Sequence, residues 1–290
     1  MRRSTTFAGT ESSGTEFTGT RRPLLALVLL VELVAAVVLL TRATPAITAT
    51  PAPPAAVVAP NPPAASTQHV VLRDGRTAEI LVLPGPGTVG LADRIRGDLD
   101  DAADAVTAFW GDDWRRDIAV VVTGTDEQFA AMGGGGSDIA AATTSERIVF
   151  APGAAGMSDA SLRIVLRHEL FHHAARDVTA ADAPRWLTEG VADYVGRPPI
   201  PLPGPATAAD LARLPTDVDL DTPGAARSLA YDRAWWFSRF IADRYGPDGL
   251  RRLYLATCGM GHTDIADGVR DVLGVQLDEV LIAWRQWLNG

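Results

Sequence analysis

From residue 67 onward the apolar positions fall into two periodicities. The stretch 69–82 reads as two strand-like runs turning at Asp74-Gly75, which predicts a hairpin. Leu91, Ile95, Leu99, Ala102, Val106 and Phe109 then recur on one face, predicting an amphipathic helix over 91–109. A short, fully apolar strand is expected at 118–122, and two more strand-like runs at 138–144 and 147–151. Helical spacing returns at Leu162, Val165, Leu166, Leu170 and Phe171, and a second helical stretch covers 184–195. Further helices are expected at 208–214, 231–245, 250–256, 263–273 and 277–288, with Gly246 and Pro247 marking one break. The order predicts an α+β domain over 67–290. A small mixed or antiparallel sheet packs on the helix that starts near 159, and a mostly helical C-terminal lobe follows. Its roughly 220 residues suffice for one well-buried domain or for two lobes sharing a cleft. No internal repeat is evident.

The first 66 residues follow neither period. Residues 1–22 are rich in Ser, Thr and Gly, carry four arginines, and read as a disordered cytoplasmic tail. Leu24 to Leu40 is a nearly unbroken apolar run of seventeen residues, so 23–41 is read as a transmembrane anchor at the short limit of spanning length. Glu32 within it costs about 2–3 kcal/mol, which the surrounding Leu and Val outweigh. Arg2, Arg3, Arg21 and Arg22 precede the run and Arg42 alone follows closely, placing the N-terminus in the cytoplasm and the domain outside the cell. A cleaved signal peptide, giving a secreted protein, is the rival; the length of the run and of its leader favours a single-pass anchor. Residues 42–66 hold Pro45, Pro51, Pro53, Pro54, Pro60, Pro62 and Pro63 among Ala and Thr, and read as a semi-rigid extracellular stalk.

Composition narrows the partners. The formal charge is −9, lysine is absent, and all 26 basic residues are arginine. An acidic chain without a basic stripe argues against nucleic acid as a partner. Cys258 is the only cysteine, which excludes an intramolecular disulfide and a cysteine-based structural zinc.

The chemistry concentrates at His168-Glu169-Leu170-Phe171-His172. Histidines at i and i+4 of a helix project from one face and can reach a single ion. Glu189, in Trp186-Leu187-Thr188-Glu189-Gly190, supplies a third donor, the number a catalytic zinc takes while keeping a position for water. Glu169 is placed to take a proton from the water polarised there. Asp193, four residues past Glu189, lies on the same face and can accept the free N–H of a ligating histidine. His173, about 100° round the helix from His172, is expected to pack or to face solvent.

These residues resemble the gluzincin metallopeptidases. Trp186-Leu187-Thr188-Glu189-Gly190-Val191-Ala192-Asp193-Tyr194 is similar to the corresponding helix of aminopeptidase-N-like enzymes and of the small peptidase-MA-like or minigluzincin proteins. The Glu-x-x-x-Asp spacing also resembles thermolysin. The resemblance is strong over residues 158–196 and looser from 231 to 253. It implies a zinc peptidase in which a tyrosine or histidine downstream of the third ligand helps hold the oxyanion. Tyr231, in Ser228-Leu229-Ala230-Tyr231, matches the stretch where an Ala-Tyr pair opens a helix, and packing among Trp235, Trp236 and Phe240 is its alternative role. Bound peptide is expected to add to the edge of the sheet, along either 138–144 or 147–151. The 16 residues between His172 and Glu189 are slightly fewer than in the large relatives. The Gly-x-Met-Glu-Asn signature of aminopeptidases is absent: Met132 and the glycine run 133–136 are not followed by Glu-Asn.

The reading is a membrane-anchored extracellular zinc peptidase of endopeptidase type acting on peptide or protein substrates. Two alternatives stand beside it. One is a non-proteolytic zinc-binding or regulatory module on the same fold. The other is a hydrolase of a cell-wall peptide-like amide.

Overall fold

A hairpin opens the structure, as the spacing predicts. β1 (Ser66–Val71) pairs antiparallel with β2 (Thr77–Val82), and Gly75 at φ 83° takes the left-handed backbone of the turn. This computed structural model describes residues 64–133, 135–136 and 138–290. The tail expected at 1–22, the anchor at 23–41 and the stalk up to residue 63 lie outside the described residues, as does Gly134 of the glycine run. Among the described residues no helix is long and apolar enough to cross a membrane.

After β2 the chain forms α1 (Thr88–Trp110) and returns as β3 (Asp117–Val122), parallel to β2. That helical crossover makes the sheet mixed. α2 (Asp126–Ala131) follows, then β4 (Ala141–Thr143) and β5 (Ile148–Phe150), in the sheet order β1-β2-β3-β5-β4. β5 is parallel to β3 and antiparallel to β4, so of the two runs expected to offer an edge it is 141–143 that does. The side-chain period of two divides the sheet into two faces. Ile80, Val82, Ile118, Val120, Ile148, Phe150 and Ala141 join the main core. Val121 and Val149 bury with Phe129 of α2 in a smaller cluster on the other side. Thr143, two residues from Ala141, belongs to the main-core face.

The helical portion comprises α3 (Asp159–Ala175), α4 (Arg185–Gly196), α5 (Pro205–Leu211), α6 (Asp217–Asp221), α7 (Ala225–Tyr245), α8 (Pro247–Cys258), α9 (Ile265–Leu273) and α10 (Leu277–Asn289). α3 follows a short 3-10 turn, Pro152–Gly156, and is capped by Ser158, whose hydroxyl accepts from the Ser161 N–H at 3.1 Å. The expected α+β class is present, a small mixed sheet with a helical C-terminal lobe. Two helices are shifted most from the sequence expectation, and two short ones are additional to it. α7 begins at Ala225, so Tyr231 sits in its second turn and does not open the helix. α5 begins at Pro205 and ends at Leu211, because proline suits the first helical turn. α2 and α6 are too short for a hydrophobic period to reveal, although Thr125 caps one and a Thr216–Asp219 capping box opens the other.

Two glycines of α4 bring the helices of the cleft together. A Cβ at Gly190 would lie 2.5 Å from the Ala234 carbonyl oxygen of α7, and one at Gly196 would lie 2.9 Å from the Ile164 carbonyl oxygen of α3. Both contacts are to backbone, so neither neighbour can rotate away. Gly190→Ala should therefore push α4 from α7 and destabilise the fold by about 1–3 kcal/mol. Urea denaturation reads this as a lower midpoint; a midpoint equal to the parent's would mean that the two helices separate without cost.

Candidate metal centre

α3 and α4 cross where Gly196 permits contact, and the crossing sets three donor atoms facing one another. His168 and His172 stand one turn apart on α3, while Glu189 comes from the first half of α4. His168 Nε2 lies 3.1 Å from His172 Nε2 and 3.1 Å from Glu189 Oε2, and His172 Nε2 lies 3.5 Å from that same oxygen. Among the described residues these three side chains form the one His/Cys/Asp/Glu cluster close enough to hold a metal ion. Zinc bound tetrahedrally at roughly 2.0–2.1 Å needs its N/O donors about 3.3 Å apart, so the triangle has the size of such a shell.

The proton inventory points the same way. His168 Nδ1 is 2.9 Å from Asp193 Oδ1, so that nitrogen carries the proton of the neutral ring and Nε2 turns a lone pair inward. A lone pair facing a second imidazole nitrogen and a carboxylate oxygen is favourable only when a cation lies between them. Without a metal a proton takes that role. Burial would lower the His168 pKa, but the Asp193 and Glu189 carboxylates outweigh it and hold the ring well above its ordinary range. Burial likewise opposes the Glu189 charge, and the two imidazoles hold its carboxyl well below the usual carboxylate range.

Asp193 is itself held from behind. Its carboxylate is buried, which would raise its pKa, yet Arg197 and His168 keep it lowered. Arg197 lies 2.6 Å from Asp193 Oδ2 and 2.7 Å from Asp232 Oδ1 of α7, giving a chain His168–Asp193–Arg197–Asp232 that leads away from the cleft. Sequence reading missed Arg197 and Asp232. The i,i+4 spacing of Asp193 and Arg197 was the available signal for the first, and for the second there was none.

Glu169 is buried beside the triangle and accepts a hydrogen bond from Thr143 Oγ1 at 2.7 Å. Thr143 ends the edge strand β4, so the sheet and the α3 carboxylate meet at this contact. It too escaped sequence reading, since a threonine in a short strand carries no mark. Tyr231 of α7 lines the same cleft, with its ring 6.4 Å from that of His168. Burial and the Glu189 charge hold its phenol well above its ordinary pKa. It therefore stays protonated and able to donate. Tyr231 also packs against the main core, to which Trp235, Trp236 and Phe240 belong. His173 turns away to face the Asp117 carbonyl at 3.1 Å, packs on the edge of Trp114, and is pushed down to about 4, chiefly by burial.

A cleft of about 520 Å³ runs over these groups, lined by Ala141–Thr143 on the sheet side and by Tyr231 and Tyr254 opposite. A buried carboxylate bonded to a strand hydroxyl, three converging donors, a protonated phenol and a strand edge line it together. That set suits hydrolysis of an extended amide substrate.

No protein-family model and no curated protein matches the chain. Among solved structures it is similar to a two-domain M1 zinc metallopeptidase variant bound to L-arginine, at 18% identity and a TM-score of 0.44 over 78% of this chain and 51% of that one. The same enzyme variant bound to L-tryptophan gives 19% identity and a TM-score of 0.45 over 78% and 51%. An M1 zinc metallopeptidase variant from Deinococcus radiodurans bound to a Tyr-Ser-Ala substrate gives 19% identity and 0.41 over 78% and 52%. The chain spans about half the length of these structures.

Proposed function

We propose that this chain is a zinc-dependent peptidase, with His168, His172 and Glu189 holding the metal. The observation that carries the reading is the triangle of donor atoms at 3.1, 3.1 and 3.5 Å, with Glu169 beside it on the cleft floor. Zinc bound there would supply Lewis-acid polarisation of a water and of a substrate carbonyl. The protein's own groups do the rest. Glu169 takes a proton from the attacking water and returns it to the leaving amine, with Thr143 fixing the orientation of its carboxylate. Asp193 fixes the tautomer of His168, and Arg197 keeps Asp193 ionised. Tyr231 donates a hydrogen bond to the oxygen that becomes negative as the carbonyl is attacked.

Peptide in extended form fits along the outer edge of β4, which has no strand partner on that side among the described residues. With no Gly-x-Met-Glu-Asn signature to capture a free amino terminus, cleavage within a chain is the expected mode. In the same proposal the domain stands outside the cell on the anchor at 23–41 and the stalk at 42–66, an expectation that the sequence alone supports. Membrane fractionation of the full-length chain tests it: recovery in the soluble fraction at its full mass would exclude the anchor, and a shortened soluble product would indicate a cleaved signal.

Elemental analysis of the full-length chain, paired with digestion of a peptide mixture, tests the central claim. One zinc per chain and cleavage that stops on chelation are expected. A well-folded chain that takes up no zinc would sink the proposal, and zinc without cleavage or peptide binding would shift the fold to a non-proteolytic role. Tyr231→Phe should keep the zinc and the KM while lowering kcat about 10²-fold. An unchanged kcat would leave Tyr231 a packing residue only.

A further inference from the structure

Arg176 is the cleft residue that the hydrolytic chemistry leaves unused. It follows His168 and His172 at the same four-residue interval, so it continues their face of α3 about 6 Å further along the axis. Its half-buried side chain lines the cleft and donates to the Ser145 carbonyl, just beyond the end of β4. That carbonyl uses one of five N–H donors and offers no charge.

The carboxylates nearest to Arg176 are engaged elsewhere. Asp177 is bound in two contacts by Arg115, at 2.7 and 2.8 Å. Glu146 is bound by Arg147 at 2.8 Å. Among the described residues no carboxylate comes within ion-pair distance of Arg176. Burial, and then the charge of Arg115, lower its pKa from the usual arginine value, which marks a cation short of compensation. Arg185, the other arginine of the cleft, differs because it is paired with Asp221 at 3.0 Å. A partly desolvated cation aimed at a substrate groove is stabilised by an anion brought in from outside. In a chain of net charge −9 such a group is also what would let an acidic substrate approach.

The position along the groove follows from α3. Arg176 lies one helical turn, about 6 Å, beyond the metal-site residue His172. Two residues of an extended substrate span a similar distance, roughly 6.8 Å. We propose that Arg176 selects substrates bearing an aspartate or glutamate side chain about two residues from the scissile bond. The inference rests on the peptidase reading given above.

Digestion of a random peptide library by the full-length chain tests it, with cut sites read by mass spectrometry. Asp and Glu should be enriched about tenfold over Asn and Gln at one position within two residues of the cut, the size of a hydrogen-bonded charge pair. In Arg176→Gln that ratio should fall to near one, and in Arg176→Glu the preference should turn to Lys and Arg. Fluorescence anisotropy of matched Glu and Gln peptides on the zinc-loaded Glu169→Gln variant gives a second readout free of turnover, with about tenfold tighter binding of the Glu peptide expected. Equal treatment of acidic and amide residues by the parent chain would overturn the proposal, as would an acidic preference that survives Arg176→Gln. Failure of the peptidase reading would look different, with no peptide cut and none bound.

Discussion

Replacing Glu169 by Gln will leave the zinc in place and lower kcat by about 10²–10⁴-fold, the range associated with loss of a positioned general base. The substitution keeps the shape of the side chain and the Thr143 hydroxyl still finds an oxygen to donate to, so folding and substrate binding have little reason to change. What is lost is the capacity to accept a proton and hand it on. The effect should therefore appear in kcat and not in KM, the signature of an interaction made only as the reaction proceeds. Parallel zinc analysis distinguishes this from loss of the metal. A variant that keeps zinc and cleaves within tenfold of the parent would remove Glu169 from the chemistry and leave another group to be found. Loss of zinc in the variant would mean that Glu169 supports the metal shell instead.

The parts of this site that lie on one helix were legible in the sequence, and those that depend on two elements meeting were not. The i,i+4 histidines follow from helical geometry alone, and hydrophobic spacing at Leu162, Leu166 and Leu170 shows that their helix is buried on one side. Glu189 and Asp193 are likewise related by one turn of α4. The contact between these two pairs is a tertiary fact, and it depends on Gly190 and Gly196, which no periodicity singles out. Thr143 reaches Glu169 only because β4 is placed at the sheet edge, by a strand order in which β5 lies inside β4. Sequence reading left that edge undecided between two runs of similar composition. Arg197 and Asp232 join the site across α4 and α7, 35 residues apart in the chain. The start of α7 was misplaced for a related reason. Ala225 to Ala230 is helix-forming but shows little buried face, and only from Ala230 does the core begin to mark it.

Metal affinity should fall by two distinct steps when the donors and their support are removed in turn. His172→Ala takes away one of three donors and leaves His168 and Glu189 with room for water in its place. Stoichiometric zinc should then be lost on dialysis, and turnover with it. Asp193→Asn keeps all three donors but replaces the carboxylate that receives the His168 Nδ1 proton at 2.9 Å. An amide there can present its own N–H to the ring and favour the opposite tautomer, and it also leaves Arg197 with one carboxylate, Asp232, instead of two. Disturbing such a supporting contact costs roughly 10–100-fold in metal affinity. Zinc titration with a competing chelator separates the two. Thermal unfolding provides an independent measure, because zinc at a thousandfold above its Kd stabilises the folded chain by about 4.1 kcal/mol. The parent should gain its full shift in Tm on adding zinc, Asp193→Asn a reduced one, and His172→Ala none. Equal affinity in Asp193→Asn and the parent would show that packing alone orients His168. Retention of tight zinc in His172→Ala would mean that the three-donor shell is wrongly assigned, and with it the chemistry built on that shell.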